Sequence, residues 1–232
     1  MRESVKPERN GASVPRPATI VGLILALVLP VIVSAVRQSP VQLTARRVLF
    51  SIANDWVVAV ALLLLVLIWE GRPLRSIGLK APKWSDLGWG FGGFIVGVIA
   101  FGLVAPIVIK YGLGSTLEGI STLAGLPLYV TILIALTAGV TEELLFRGYA
   151  IERLSETSGS TTIGACAAYV IFVGLHAPFW GIGGTLQIGV WSLLITWIYV
   201  RRRTLVPCIV MHVLNDLFAF VLMPILMTRS GH

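Results

Sequence analysis

Thr137-Ala138-Gly139-Val140-Thr141-Glu142-Glu143-Leu144-Leu145-Phe146-Arg147 closes a long apolar run with two adjacent carboxylates and an arginine. Later apolar runs carry His176, and then His212 with Asn215 and Asp216. A charged side chain at the centre of a membrane helix costs about 2.5–3.5 kcal/mol on insertion scales. A chain that buries several such groups in its apolar runs does so for chemistry more often than for packing.

Working outward, the apolar setting extends over the whole chain. Of its 232 residues, 56% are hydrophobic and 12% charged, and the mean hydropathy is +0.88. Soluble domains carry about 25% charged residues. The reading is an all-α polytopic membrane protein. Runs of about 20 apolar residues place spans at roughly 18–36, 48–69, 87–109, 127–150, 161–177, 185–200 and 204–227, about seven in all. The apolar stretch after Arg2, Lys6, Arg9 and Arg16 is longer than a signal-peptide core, and Ser34-Ala35-Val36 is a weak cleavage site, so it is read as the first span. Residues 1–17 are expected to be a disordered tail. Tyr111 to Gly125 is too polar and Gly-rich to span, and is expected to form a re-entrant or surface loop.

The net charge of +7 does not indicate nucleic acid, because the basic residues flank the apolar runs. With a cytoplasmic N-terminus, 13 of the 18 lysines and arginines fall inside; Arg37, Arg46, Arg47, Lys110 and Arg229 fall outside. The positive-inside rule selects that orientation. Arg201-Arg202-Arg203 then reads as a topology anchor. Cys166 and Cys208 make no metal-ligand spacing and read as small core residues.

Glu143 and Arg147 stand four apart and share a helical face, whereas Glu142 points about 100° away. One carboxylate is thus held by arginine while the other is left to face a cavity; the alternative is a purely structural ion-pair cluster. Counted from the inner helix ends, Glu142, His176 and His212 reach similar depths, roughly 14–22 Å. Such a set suits hydrolysis. Glu142 acts as general base on a water with His176, and His212 with Asn215 or Asp216 supplies donors to an oxyanion. Glu142, His176 and His212 are equally a candidate set of ligands for a divalent metal such as zinc. The His-Glu-x-x-His signature is absent, as is the Gly-x-Ser-x-Gly of serine hydrolases.

Glu142-Glu143-Leu144-Leu145-Phe146-Arg147, Phe172-Val173-Gly174-Leu175-His176 and His212-Val213-Leu214-Asn215-Asp216, in this order, resemble the three signature motifs of the CPBP family. These are the CAAX prenyl endopeptidases and bacteriocin-processing intramembrane proteases, also called the ABI family. Arg75-Ser76-Ile77-Gly78-Leu79 with Trp84 resembles that family's entry to its core. The resemblance covers roughly 72–224; the first two spans carry none of it. It implies a catalytic membrane core over 72–227, preceded by two further helices over 18–71 and followed by a short tail, 228–232, with a polar cavity open to the cytosol. By the family pattern Glu142 and His176 activate the water, and His212 with the residue four later stabilises the oxyanion. That residue is Asp216 where Asn is common, a poorer donor unless protonated. The family is described as metalloproteases, and a metal-free glutamate mechanism is argued as well; no cofactor is required by the sequence itself.

The expected partners are the bilayer and a protein or peptide substrate, lipidated in part of the family, with no nucleic acid. The expected location is a bacterial plasma membrane. Two alternatives stay open: a non-catalytic scaffold or bacteriocin-immunity protein on the same fold, and a proton relay or transporter, for which inverted repeats are lacking. Elsewhere, Gly88-Trp89-Gly90-Phe91-Gly92-Gly93 matches a dinucleotide fingerprint but opens a span with no preceding strand. Its small pairs, Gly88 with Gly92 and Gly93 with Gly97, read as close helix packing. Asn54-Asp55 is a second polar pair inside an apolar run. Trp56, Trp69, Trp84, Trp89 and Trp180 are expected to form an aromatic belt.

Overall fold

In a bilayer every backbone polar group must be satisfied within the chain, which leaves helices as the solution for runs such as these. The computed structural model describes residues 16–30 and 43–229, with the backbone alone over 227–229. Its elements are α1 (Pro17–Val28), α2 (Ala45–Trp69), α3 (Trp84–Lys110), α4 (Thr116–Ala124), α5 (Leu128–Ser158), α6 (Thr161–Arg202) and α7 (Val206–Leu226). No strand occurs among the described residues. Five of these helices, α2, α3, α5, α6 and α7, are long and apolar enough to cross a membrane. The first expected span is described only as far as Pro30, and the tail before Arg16 lies outside the described residues.

The longest helix is folded back on itself. Gly181 adopts φ 66° and ψ −177°, a conformation open to glycine and costly for a side chain. The Tyr169 hydroxyl consequently donates to the Gly189 carbonyl at 3.2 Å. A straight helix would hold residues twenty apart at roughly 30 Å. The two arms of α6 correspond to the expected spans 161–177 and 185–200.

Tyr111 to Gly125 differs from the expected loop. Within it, α4 starts with the Ser115 hydroxyl accepting from the Leu117 amide at 3.3 Å. Its Ile120 and Leu123 are buried, grouped with Trp180 and Phe220. Spacing of three residues sufficed for a short amphipathic helix, although its length was too small for a span. Cys208 is buried as expected, but Cys166 is exposed on the outer surface of α6. Gly93 and Gly97 pack against Met211 and Trp191, joined by Gly90 against Val210, whereas Gly88 and Gly92 face open space. Trp56 is not at a span end: it sits mid-helix and donates to Thr137 Oγ1 at 3.0 Å, tying α2 to α5.

Helix α3 packs on α6 and α7, α5 on α7, and α2 on α5. Phe91, Ile95, Ile99 and Leu103, four residues apart along α3, are exposed, as expected of a face turned to lipid. One end of the bundle is laced by ion pairs: Arg153–Glu70 at 2.6 Å, Arg72–Glu156 at 2.7 Å, Arg202–Asp86 at 2.6 Å and Arg203–Glu152 at 2.7 Å. Glu70 lies just past α2. Burial pushes its carboxyl up, but hydrogen bonds from Arg153 and Tyr149 and the charges of Arg153 and Arg72 outweigh this and hold it below its ordinary value. Between this belt and the bundle centre lies a packed layer of Ile77, Tyr149, Ile195, Tyr199 and Leu205, each fully buried.

Candidate active site

The apolar approach to Glu142 is regular α-helix, and from Glu143 to Ala150 the hydrogen bonding widens to π-type. Such widened turns are frequent at functional sites. Here the two carboxylates part company. The Glu142 side chain is 34% exposed, into a cavity, while that of Glu143 is fully buried.

Glu143 joins two helices. Its Oε1 accepts from Arg147 Nη1 at 2.9 Å and from His212 Nδ1 at 2.7 Å. The Arg147 Nη2 donates to Ser192 Oγ at 2.7 Å, and its guanidinium lies 4.0 Å over the Phe172 ring. The pairing of Glu143 with Arg147 on one face is as the spacing predicts; their tie to His212 and Ser192 is not visible in it.

The histidines are each fixed through Nδ1. His176 Nδ1 stands 2.7 Å from the Phe172 carbonyl. A carbonyl only accepts, so Nδ1 carries the hydrogen and Nε2 is left with its lone pair. The His176 ring also rests against Phe172 with centroids 4.6 Å apart. His212, held by Glu143, turns Nε2 toward two other carboxylates: 4.0 Å from Glu142 Oε2 and 3.6 Å from Asp216 Oδ2. Trp191 packs edge-on against it at 4.9 Å, and Asn215 Nδ2 donates to Asp216 Oδ1 at 3.1 Å.

Glu142, His176, His212, Asn215 and Asp216 all line one cavity of about 1200 Å³. Three helices thus deliver their polar groups to one space, as the depths along α5, α6 and α7 predict. Glu143 and Arg147 do not line it; they stand behind His212 as its support. Asn54 and Asp55 line the same cavity from α2, although that helix lies outside the motifs. Trp191 and Ser192 carried no signal in the sequence, because an apolar run with a single serine is unremarkable in a span.

Among the described residues no three His, Cys, Asp or Glu side chains are grouped as ligands of one ion. Each histidine donates from Nδ1 and keeps Nε2 for another partner, the way ligating histidines are usually held.

Residues 124–218 match a family model described as type II CAAX prenyl endopeptidase Rce1-like. The match covers less than half of the chain, but it contains α5, α6 and most of α7, and with them all seven candidate residues. It is consistent with the CPBP family. No curated protein and no solved structure matches the chain.

Proposed function

We propose that this chain is an intramembrane endopeptidase of the CAAX-protease type, hydrolysing a peptide bond with a water activated by Glu142 and His176. The likeness to a CAAX-type protease over 124–218 is the premise. The observation that carries the residue roles is the 4.0 Å approach of Glu142 Oε2 to His212 Nε2 in a cavity that His176 also lines.

In this reading a water sits between Glu142 and His176 and donates to His176 Nε2, which orients it. Glu142 takes a proton as the water oxygen attacks the carbonyl carbon. The carbonyl becomes an oxyanion and accepts from a protonated His212 Nε2, with Asn215 and Asp216 beside it. Glu142 then returns the proton to the leaving amine as the C–N bond breaks, yielding a carboxylic acid and an amine. Glu143 and Arg147 hold the His212 ring and touch no substrate; they are positioning residues. Asp216 lies on the cavity wall with Asn215 donating to it, so the amide at 215 fixes the carboxyl at 216. The substrate is a membrane-associated protein or peptide.

The test is a comparison of protein N-termini in cells carrying the wild-type chain and the Glu142→Ala variant. Cleavage products that vanish with the variant are expected. A phenotype of the chain that survives Glu142→Ala, with no product lost, would instead favour a non-catalytic scaffold.

A further inference from the structure

Helix α2 lies outside the matched residues 124–218, yet it forms one wall of the cavity. Val48, Ser51, Ile52, Asp55 and Val58 line it, with Asn54 beside them. Their spacing is that of one helical face, so the wall is a stripe with a part-buried carboxylate along it. The rotation that presents this stripe is fixed by the next residue. Trp56 Nε1 donates to Thr137 Oγ1 on α5 at 3.0 Å, and Thr137 lines the cavity as well. Turning α2 so as to carry Asp55 out of the cavity would break that bond.

The height of Asp55 follows from the pairing of the two helices. Trp56 meets Thr137, and Glu70, just past the end of α2, meets Arg153, so α2 and α5 run parallel. Thr137 stands five residues before Glu142, and Asp55 one before Trp56. Asp55 is therefore offset from Glu142 by roughly 9 Å along the helix axis. An extended peptide advances about 3.3 Å per residue, so that offset corresponds to two or three residues of a bound chain.

Charge gives the stripe its meaning. Asp55, Glu142 and Asp216 line the cavity, and among its described lining residues there is no lysine or arginine. Arg147 stands behind the wall, bonded to Glu143 and Ser192. Glu142 and Asp216 face His212 at 4.0 and 3.6 Å; Asp55 approaches from another helix and another height. A carboxylate inside a span is costly and marks a ligand or ion path by default. A cation carried in by a ligand offsets that cost.

We propose that Asp55 is a specificity-determining residue, accepting a hydrogen bond from an arginine or lysine side chain of the substrate two or three residues from the bond cleaved at Glu142. The inference deepens the peptidase reading and rests on it for the word substrate; recognition of a cationic side chain rests on the cavity lining alone.

Two measurements separate these. The first is binding to purified Glu142→Gln protein in detergent, with a dye-labelled alanine-leucine nonapeptide carrying one central arginine as the probe. Its counterpart carries citrulline, which has nearly the shape of arginine without the charge. The arginine peptide is expected to bind about tenfold tighter, the order of one charge-assisted hydrogen bond. That ratio is expected to fall to about one when Asp55→Asn is added. A ratio does not depend on how much of the variant is folded, so a merely structural role would leave it unmoved. Equal or undetectable binding of the two peptides, or a preference that survives Asp55→Asn, overturns the proposal. The second measurement maps the N-termini lost in Glu142→Ala cells. These are expected to have lysine or arginine two or three residues from the cleaved bond and to decline in Asp55→Asn cells; cleavage sites without such a residue overturn the proposal. An absence of any Glu142-dependent product, with the binding ratio as expected, refutes the peptidase reading and leaves the recognition by Asp55 standing.

Discussion

His212 Nδ1 lies 2.7 Å from Glu143 Oε1, a hydrogen bond that joins α7 to α5 at the floor of the cavity. The same oxygen accepts from Arg147, and Arg147 reaches Ser192 on the second arm of α6. Glu143→Gln therefore leaves a buried guanidinium without its carboxylate. Removing one partner of a buried pair costs about 3–5 kcal/mol, so thermal unfolding in detergent should shift down strongly and cleavage should fall with it. The double variant Glu143→Leu with Arg147→Met should unfold at a higher temperature than Glu143→Gln, because no unpaired charge remains.

Glu142 faces the cavity instead of the core. Glu142→Gln keeps shape and volume, and the unfolding midpoint should stay within about 2 °C of wild type, as for a surface substitution worth under about 0.5 kcal/mol. Cleavage should drop by roughly 10²–10⁴-fold, the usual contribution of a general base. Paired melting and cleavage measurements on one preparation check both.

Gly139 sets how closely α5 approaches α7. A Cβ there would stand 3.0 Å from the Val213 backbone nitrogen and 3.2 Å from its Cα, next to His212. Gly139→Val should cost about 1–3 kcal/mol as overpacking and, by spreading the helices that carry Glu142 and His212, lower kcat as well. Gly88→Ala, with nothing within 4 Å of the added carbon, should change neither.

Glu70 gives the chain an acid-sensitive latch. Its folded-state pKa lies below the ordinary carboxylate value because Arg153 and Tyr149 bond to the ionised form. The stability it contributes is complete above the unfolded-state value, about 4.3, and is lost as pH falls through the lower folded value. Melting temperature should therefore decline below about pH 4.3 in wild type. Glu70→Gln should start lower at neutral pH and show a shallower decline.

Much of this molecule is readable in its residues, and what is missed has identifiable causes. Uncharged runs announce the helices, because a bilayer leaves the backbone no other way to satisfy itself. The spacing of Glu143 and Arg147 gives their pairing, since both sit on one helix. The motifs at 142–147, 172–176 and 212–216 give the cavity groups for a different reason: charged and imidazole side chains stand out against apolar neighbours. Ser192 and Trp191 are illegible because their roles depend on which helix lies opposite, a long-range matter that local pattern does not encode. The helix at Thr116–Ala124 is hard to read because only Ile120 and Leu123 of its four buried residues carry large apolar side chains, the other two being Thr116 and Gly119. Residue type marks Glu142, His176 and His212 as candidate ligands, but among the described residues they are not grouped around one ion.

The floor beneath His212, from Ile77 to Leu205, is fully buried. Its amides are therefore expected to exchange with deuterated water more slowly than those of the cavity wall beside Glu142, whose side chain is 34% exposed.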